Sequence, residues 1–375
     1  MEKKQIVFIN QSAGYLMVDI INAFEEQFDE RILFTGFLNE RNNKLNQNVK
    51  VEKLIRYNRS SSYKRILTWS LAFFKALWLI QFKYRKAHLF LVSNPPFATL
   101  LPLFCKNSFD ILIYDIFPDT LIEFKIISPT SIIAKWWSKA NQNIFLKARK
   151  VFTISDPMKD RLSRYVDSKK IEVVPIWTDN NFLKPIPKNE NLFLKKINAQ
   201  DKFLIVYSGN MGKSHPVVKM IELADRFKNS NEVFFLLIGG GHQYQTLENQ
   251  IHSSGLKNIN IMPWQPTENL PYTLSAPNLA LVTIGNEASE LSIPSKLFNF
   301  MSTGTPILCI APQSSALSRL VLKEEIGNAF TETELDEMVD FINKCKEDSV
   351  YYTSFITNSI ATSLKYSPKN ALKFI

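Results

Sequence analysis

The chain has 375 residues, of which 45% are hydrophobic and 21% charged, and its formal net charge is +10. This length predicts about two domains, and the positive charge favours an anionic partner such as a phosphorylated substrate, a membrane surface or a nucleic acid. The three cysteines and four histidines lack the spacing of zinc ligands, so no metal site is predicted. The apolar run before Asn10 comprises only residues 6–9, too few for a signal peptide.

The first half alternates short apolar runs with segments of helical periodicity. This alternation predicts a parallel sheet with helices on both faces. Ser155, Asp156 and Pro157 have the side chains of a helix start. Strands are predicted at 5–9, 32–35, 89–92, 110–114 and 151–154, and helices at 15–28 and 132–148.

Three loops follow predicted strands, at 10–15, 94–95 and 115–119. In open α/β sheets, ligands bind outside the carboxyl ends of the strands. These loops are therefore candidate parts of a binding site.

The longest apolar stretch is Ile66 to Ile80, ILTWSLAFFKALWLI. It is shorter than the roughly 20 residues of a membrane-spanning helix, and Lys75 interrupts it. Two interpretations stay open: a core helix, or an amphipathic helix on an anionic membrane with Trp69 and Trp78 at the interface. Cations flank the stretch at Lys64, Arg65, Lys83, Arg85 and Lys86.

Between Trp177 and Asp201 the periodicity stops, and Asn, Lys and Pro accumulate. This composition is typical of an interdomain linker. The second half alternates again and ends in a helical tail at 334–375. Its strands are predicted at 203–207, 233–238, 260–262, 279–284 and 306–310, with helices at 217–227 and 294–303.

A glycine loop, SGNMGK at 208–213, follows the predicted strand 203–207 and precedes a helix. A strand, a glycine loop and a helix start together form an arrangement that binds phosphate. Gly209 and Gly212 allow close approach, and Lys213 would add a positive charge. The spacing is neither GxGxxG nor a P-loop, which argues against dinucleotide and Walker-type sites. A turn that needs glycine without any ligand is the alternative.

Several segments of the chain resemble glycosyltransferase family 4, in the branch found in bacterial capsule, O-antigen and colanic-acid gene sets. The first half resembles it more weakly, in SNPP (93–96), DIFPD (115–119), FTISDPM (152–158) and PIWTDNNFLKP (175–185). The second half resembles it in SGNMGKSHP (208–216), LLIGGGHQ (236–243), MPWQP (262–266), LSAPNLALVTI (274–284) and PSKLFNFMSTGTPIL (294–308).

The resemblance implies an α/β chain of the GT-B fold, with two Rossmann-like domains facing a cleft and a C-terminal helical tail. We expect residues 1–185 to form an acceptor-binding domain and residues 186–350 to bind the nucleotide sugar. Residues 351–375 are expected to be helices that cross back to the N-terminal domain.

The implied activity is transfer of a hexosyl or N-acetylhexosaminyl group from a nucleotide sugar, expected to be UDP-linked, to a lipid-linked or glycan acceptor. The resemblance also implies a role in surface polysaccharide synthesis, retention of anomeric configuration, and a reaction that uses neither a metal ion nor a cofactor. A polyprenyl-diphosphate-linked acceptor would place the protein in the cytoplasm, peripherally on the anionic inner face of the membrane.

For the donor, the resemblance implies that Gly209, Asn210 and Gly212 approach the diphosphate and that Lys213 stands where the branch usually has Arg. We expect Lys296, at a helix start, to be the second phosphate cation and, with Lys213, part of the catalytic set. The other donor-binding candidates are Gly240, Trp264, Gln265, Glu290, Ser295, Leu297 and Asn299.

The chain departs from the family's Glu-x7-Glu motif. Asn299 occupies the place of the second Glu, which usually holds the ribose, and Leu291 falls at the place of the first. Either Glu287 or Glu290 is the substitute; Glu290 is preferred. Trp264 and Gln265 follow the strand where the family seats the base.

In the N-terminal domain, Asp115 ends a buried strand where many relatives carry His. It is the candidate catalytic base or positioning carboxylate, with a helix N-cap as the structural alternative. Gly14, Tyr15 and Asn94 are the candidate acceptor-side loop residues.

Three other functions compete with transfer. A nucleotide-sugar epimerase shares the fold, and a non-catalytic nucleotide-sugar-binding relative fits the missing Glu at position 299. Nucleic-acid binding rests on charge alone, because no recognition motif is present, so no nucleic-acid partner is expected.

Overall fold

The computed structural model describes residues 3–58, 60–123, 125–212, 215–285 and 293–375. The chain divides into two compact units. Unit 1 comprises Met1–Ile176 together with Pro368–Ile375, and unit 2 comprises Trp177–Ser367.

Unit 1 is built on a parallel sheet that has seven strands among the described residues, in the order β5-β3-β1-β6-β7-β8-β9, with β2 and β4 forming a separate small pair. The middle strands β1, β6 and β7 are almost entirely buried, which explains their continuous apolar sequence. The strands are β1 Gln5–Ile9, β2 Ser12–Ala13, β3 Glu30–Thr35, β4 Phe37–Leu38, β5 Lys50–Lys53, β6 His88–Val92, β7 Phe109–Ile113, β8 Val151–Thr153 and β9 Ile171–Val173.

The helices of unit 1 begin at side-chain caps where the sequence offers Ser. Ser61, Ser131 and Ser155 each accept a hydrogen bond from a backbone amide of the first turn, which confirms the predicted start at Ser155. The helices are α1 Tyr15–Ala23, α2 Ser62–Phe82, α3 Asp119–Glu123, α4 Ile132–Lys147 and α5 Asp156–Leu162, and 3-10 turns span Pro96–Leu103, Ser168–Lys170 and Pro368–Phe374.

Unit 2 has a parallel sheet with six described strands in the order β12-β11-β10-β13-β14-β15. Numbered within the unit, this is the Rossmann order 3-2-1-4-5-6. The strands are β10 Phe203–Asn210, β11 Val233–Gly240, β12 Ile259–Pro263, β13 Leu279–Thr283, β14 Ile307–Ile310 and β15 Gly327–Phe330. The helices are α6 Leu192–Lys196, α7 Lys219–Arg226, α8 Tyr244–Ser254, α9 Leu270–Ser275, α10 Lys296–Ser302, α11 Ala316–Lys323, α12 Leu335–Glu347 and α13 Ser349–Ser363.

The predicted α/β architecture of two parallel-sheet domains with a helical C-terminal region is confirmed. The boundaries differ from the predicted 1–185, 186–350 and 351–375. Residues 177–185 belong to unit 2 because Trp177 and Leu183 are buried within it. Helix α13 also belongs to unit 2, and only Pro368–Ile375 belongs to unit 1, where Phe374 packs against Phe152 with ring centroids 4.8 Å apart.

Within the described ranges, no helix combines the length and the apolar character that crossing a membrane requires. The long helix α2 instead buries only Ala72, Ala76, Leu79 and Ile80. Its other face carries large apolar side chains in solvent, so α2 is not an ordinary core helix.

Candidate active site

The candidate site of unit 2 lies at the carboxyl ends of β10 and β13. These two strands are neighbours, and the chain leaves them toward opposite edges of the sheet. Such a switch point leaves a crevice outside the strand ends, where ligands bind in Rossmann-like domains. The predicted glycine loop and Lys296 both lie at this edge.

Two glycines let the ends of β10 and β11 lie against each other. Gly209 pairs with Gly239, and both have positive φ, +156° and +146°. A Cβ added at Gly239 would lie 2.0 Å from the Gly209 carbonyl oxygen, and a Cβ at Gly209 would lie 2.7 Å from the Lys296 Nζ. Glycine is required at both positions by space and backbone conformation, and it lets an amine approach the loop.

The Lys296 amine is the central group of the site. Its Nζ lies 3.8 Å from the centroid of the Tyr207 ring, and the atom is buried without a hydrogen-bond partner among the described residues. Burial lowers the pKa of Lys296 to about 7. A cation–π contact attracts an ammonium but satisfies none of its three donors. The amine therefore has unused hydrogen-bonding capacity that an anion can fill.

Tyr207 is fully buried and fixed by its hydroxyl, which donates to the Asn210 carbonyl at 2.6 Å. The glycine loop is held by Gln243, whose side-chain amide donates to the Gly212 and His215 carbonyls. Neither Tyr207 nor Gln243 was assigned to the site from sequence. Tyr207 reads as an ordinary strand residue, and Gln243 follows the glycines of β11 without a motif of its own.

His215 makes a local hydrogen bond. Its Nδ1 lies 2.9 Å from the Thr283 carbonyl oxygen, and because that oxygen can only accept, Nδ1 carries the proton. Burial, and then the charge of Lys296, lower the pKa of His215. The lowered pKa favours the neutral imidazole, in which Nε2 can accept a hydrogen bond.

Trp264 lies across the end of β11 and is 59% exposed. A Cβ added at Gly240 would lie 2.7 Å from its Nε1. Gln265 is half-buried, and its side-chain amide donates to the Pro263 carbonyl at 3.0 Å. An exposed indole at the ligand edge of the sheet offers a flat surface for a planar ring.

The predicted donor residues around α10 have different environments. Ser295 is exposed and its side chain makes no capping bond. Leu297 is fully buried, and its backbone amide donates to the Pro294 carbonyl at 3.0 Å. Neither the side chain nor the amide of Leu297 is free for a ligand in this conformation. The Oδ1 of Asn299 accepts a hydrogen bond from Thr178 at 2.6 Å. Asn299 therefore holds the segment after unit 1 rather than presenting a free oxygen.

Other predicted residues fall outside the described part of the chain. They are Lys213 of the glycine loop and the acidic candidates Glu287 and Glu290. Among the residues that the structure does describe, no cluster of three His, Cys, Asp or Glu side chains could hold a metal ion.

In unit 1, Asp115 follows β7, and its backbone amide donates to Ser93 Oγ at 3.1 Å. Its carboxylate has no hydrogen bond among the described residues, so the capping alternative has no support there. Desolvation raises the pKa of Asp115. The residue is exposed, however, so water screens the charge and reduces the shift. Asp119 differs, because Arg161 and Tyr165 both donate to it.

The acceptor-side candidates lie after β1 and β6. Gly14 precedes α1 and has open space where a Cβ would stand. Tyr15 carries the Arg41 guanidinium over its ring, 3.9 Å from the centroid. Asn94 is half-buried.

We expect Lys296→Met to stabilise the ligand-free protein. The folded-state pKa of about 7 lies below the usual 10.5, so unfolding takes up a proton between these values and wild-type stability rises with pH there. Met removes the buried charge, and its advantage should be a few kcal/mol below pH 7. Urea unfolding from pH 6 to pH 10 measures this advantage, which should shrink as pH rises. Lys257→Met, at an exposed lysine, is the control, and equal pH profiles for both variants would contradict a buried charge at Lys296.

Comparison with known proteins places this site in context. Residues 189–362 match the family model "Glycosyl transferases group 1". The probable glycosyltransferase WbjE of Pseudomonas aeruginosa is 21% identical over 58% of this chain and 54% of its own length. The putative colanic acid biosynthesis glycosyl transferase WcaI of Escherichia coli K12 is 27% identical over 45% of this chain and 42% of its own length. The chain thus spans about half the length of these curated relatives.

Among solved structures, Anabaena HepE in complex with UDP superposes with a TM-score of 0.72 at 15% identity, covering 99% of this chain and 98% of HepE. Such low identity supports the fold alone. Residues 189–362, less than half of the chain, are thus similar in sequence to the group 1 glycosyltransferases. The two parallel-sheet units have the GT-B fold.

Proposed function

We propose that this chain is a glycosyltransferase that moves a sugar from a UDP-linked donor to a lipid-linked or glycan acceptor in bacterial surface polysaccharide synthesis. The observation that carries the proposal is the Lys296 amine, a buried cation without a hydrogen-bond partner among the described residues, at the carboxyl edge of a Rossmann-type sheet. An anionic ligand satisfies such a group, and a nucleotide diphosphate is an anion that this type of sheet binds.

The leaving group explains what the cation does. Negative charge builds on the nucleoside diphosphate as the bond to the sugar breaks, and a fixed cation there lowers the barrier. The diphosphate would favour the charged amine and raise the lowered pKa of Lys296 again. Lys213, a cation of the glycine loop in the sequence, is proposed as its partner. Two cations would serve in place of a metal ion.

The choice of UDP rests on two supports. HepE, whose fold this chain shares, is bound to UDP and to UDP-glucose in its crystal structures. In this chain the exposed Trp264 ring, with Gln265 beside it in sequence, offers a surface on which a uracil can stack. The transferred sugar is proposed to be a hexosyl or N-acetylhexosaminyl group, with retention of configuration.

Asp115 is the proposed catalytic or positioning carboxylate on the acceptor side. It follows the central strand β7, its amide is fixed by Ser93, and its carboxylate is not engaged by another described side chain. An exposed carboxylate can accept a proton or hydrogen bond from an acceptor hydroxyl.

A membrane-bound acceptor is supported by the surface of α2. The exposed side chains on this helix recur every three or four residues, which places them along one face. Phe74 is 65% exposed and Trp78 58% exposed. Trp69, by contrast, packs against Tyr57 and Phe97 and does not belong to this face. The exposed apolar side chains are Tyr63, Ile66, Leu67, Leu71, Phe74, Trp78 and Phe82.

A second apolar surface lies at the start of helix α4, where Ile132, Ile133 and Trp136 are exposed. Helices α2 and α4 both pack on the turn Pro96–Leu103, through Phe97. Large exposed apolar surface of this kind marks an interaction site.

Cations accompany the apolar face of α2. Lys64, Arg65 and Lys75 are exposed and have no ion pair among the described residues. Lys83 is bound to Glu52 at 2.6 Å, so it contributes less than the sequence suggests. Each free cation near an anionic lipid surface contributes about 1 kcal/mol. We therefore propose reversible attachment to the cytoplasmic face of the membrane, where a polyprenyl-diphosphate-linked acceptor is reached.

In a transfer assay, Lys296→Ala should lower turnover by about 100-fold, the scale of removing one donor to developing charge. The assay measures UDP release and glycosylated product from UDP-glucose and UDP-N-acetylglucosamine, with a polyprenyl-diphosphate-linked sugar as acceptor. Lys257→Ala, which removes an exposed lysine from the same unit, should keep the wild-type rate.

Asp115→Asn should lose most transfer in the same assay. Its affinity for UDP, measured by titration, should equal that of wild type. Interconversion of the free nucleotide sugars without acceptor would identify an epimerase instead. UDP binding without any turnover in wild type would identify a non-catalytic relative. Wild-type turnover in Lys296→Ala would remove the proposed donor site.

Sedimentation with vesicles tests the membrane proposal. Wild type should sediment with phosphatidylglycerol vesicles, and less so as salt increases, because salt screens the attraction. Changing Lys64, Arg65 and Lys75 together to Glu, or Phe74 and Trp78 together to Ser, should abolish sedimentation at physiological salt. The control changes three exposed cations elsewhere on unit 1, Lys147, Arg164 and Lys169, to Glu. Equal loss in the control would show that net charge, not the α2 surface, binds the vesicles.

A further inference from the structure

Unit 1 contains a pocket of about 660 Å³ at the carboxyl edge of its sheet. This volume is within the range of small-ligand sites, about 300–1,000 Å³. The loops that follow β1, β3 and β5 form its walls. The described lining residues are Ser12, Ala13, Gly14, Phe37, Asn39, Arg56, Tyr57 and Asn58.

Buried contacts fix the walls of the pocket. The side chain of Gln11, only 1% exposed, donates to the Ile55 carbonyl at 2.7 Å and to the Thr68 carbonyl at 3.0 Å. These bonds tie the loop after β5 to the end of β1 and to helix α2. At Gly36, an added Cβ would lie 2.4 Å from the Ile55 carbonyl oxygen, so the loop after β3 lies equally close. The pocket is therefore preformed.

The pocket carries positive charge that no described carboxylate neutralises. The Arg56 guanidinium lies 4.6 Å from the centroid of the Phe37 ring and is exposed, and no ion pair engages it among the described residues. The described lining residues include no acid. Glu40 and Glu52, the acidic residues of the neighbouring segments, are paired with Lys44 and Lys83. An anion is the ligand that this charge balance favours.

The remaining lining groups suit a sugar. Ser12, Asn39 and Asn58 offer a hydroxyl and two amides, which hydrogen-bond to hydroxyl groups. Tyr57 adds an aromatic side chain to the lining, and its ring packs on Trp69 with centroids 5.6 Å apart. Among the described lining residues, polar side chains, an aromatic ring and one guanidinium together match a sugar that bears a phosphate.

We propose that this pocket binds the phosphorylated sugar of the acceptor, with Arg56 on the phosphate and the amides of Asn39 and Asn58 on the sugar hydroxyls. This inference rests on the proposed transferase function and adds to it the pocket and the residue, Arg56, that select a phosphate-linked acceptor. The pocket selects an acceptor whose sugar is linked to phosphate over a neutral glycan.

Calorimetric titration of the full chain with N-acetylglucosamine 1-phosphate tests the site. Wild type should bind it, should bind N-acetylglucosamine at least 10-fold more weakly, and should bind inorganic phosphate weakly. Arg56→Ala should weaken binding of the sugar phosphate about 10- to 100-fold, since a charge-assisted bond is lost. Arg56→Lys, which keeps the charge without the fork, should retain part of the affinity. Lys169→Ala, at an exposed cation of the same unit, should bind like wild type.

UDP titrations of the same proteins separate this inference from the proposed function. Unchanged UDP affinity with lost sugar-phosphate affinity in Arg56→Ala supports the pocket. If wild type binds UDP but not the sugar phosphate, the pocket is overturned and the donor site stands. If wild type does not bind UDP, the proposed function itself is overturned. Phosphatidylcholine vesicles with and without polyprenyl-diphosphate-linked N-acetylglucosamine distinguish the lipid-linked source from the free one. If Arg56→Ala weakens binding to plain phosphatidylglycerol vesicles as much as it weakens binding of the sugar phosphate, Arg56 binds lipid headgroups. That result would also overturn the pocket.

Discussion

The amine of Lys296 against the Tyr207 ring is the interaction on which the account of unit 2 depends. A buried ammonium with no hydrogen-bond acceptor among the described residues is costly, and the protein lowers that cost by reducing its pKa to about 7. An apolar side chain at this position would avoid that cost. The presence of the amine at the ligand edge of the sheet, beside Gly209, is most simply explained by an anionic ligand that completes its bonding.

Residues near both ends of unit 2 bind to helix α10 and hold Lys296, its first residue, in place. Thr178 donates to Asn299, and Ser302 donates to the Leu183 carbonyl at 2.5 Å, so the segment entering unit 2 is bonded to the helix. From the other end of the unit, Tyr366 packs on Phe298 with ring centroids 4.7 Å apart. A site at the carboxyl edge thus depends on hydrogen bonds between segments about 120 residues apart in sequence.

The central strands could be predicted because their burial on both faces leaves a continuous apolar signal, as at β7 and β10. Strand β5, KVEK, is largely exposed at a sheet edge, and β15, GNAF, is short and starts with glycine, so neither produces that signal. The segment 177–185 lacks periodicity because irregular backbone packs there, not because it is a flexible linker. Periodicity reports regular structure and is silent about irregular packing.

The sequence identified the glycine loop and Lys296 as site candidates, but not the physical state of the lysine. Its buried environment comes from Tyr207, a residue 89 positions earlier, and no local pattern reports it. The role of Asn299 shows the converse. Its position in the motif suggested a ribose contact, whereas in the structure its Oδ1 accepts a hydrogen bond from Thr178. The amphipathic surface of α2 was one of two interpretations that sequence left open, because apolar residues on α2 occur on both faces.

Proton uptake on UDP binding at pH 8 tests the central claim most directly. Because the pKa of Lys296 in the free protein is about 7, most of its amine is neutral at pH 8, and binding a diphosphate should recharge it. Calorimetry in buffers of different ionisation enthalpy should show uptake of close to one proton per UDP by wild type. Lys296→Arg, whose guanidinium stays charged, should bind UDP with almost no uptake. UDP binding by wild type without proton uptake at pH 8, or equal uptake by the two proteins, would contradict the account.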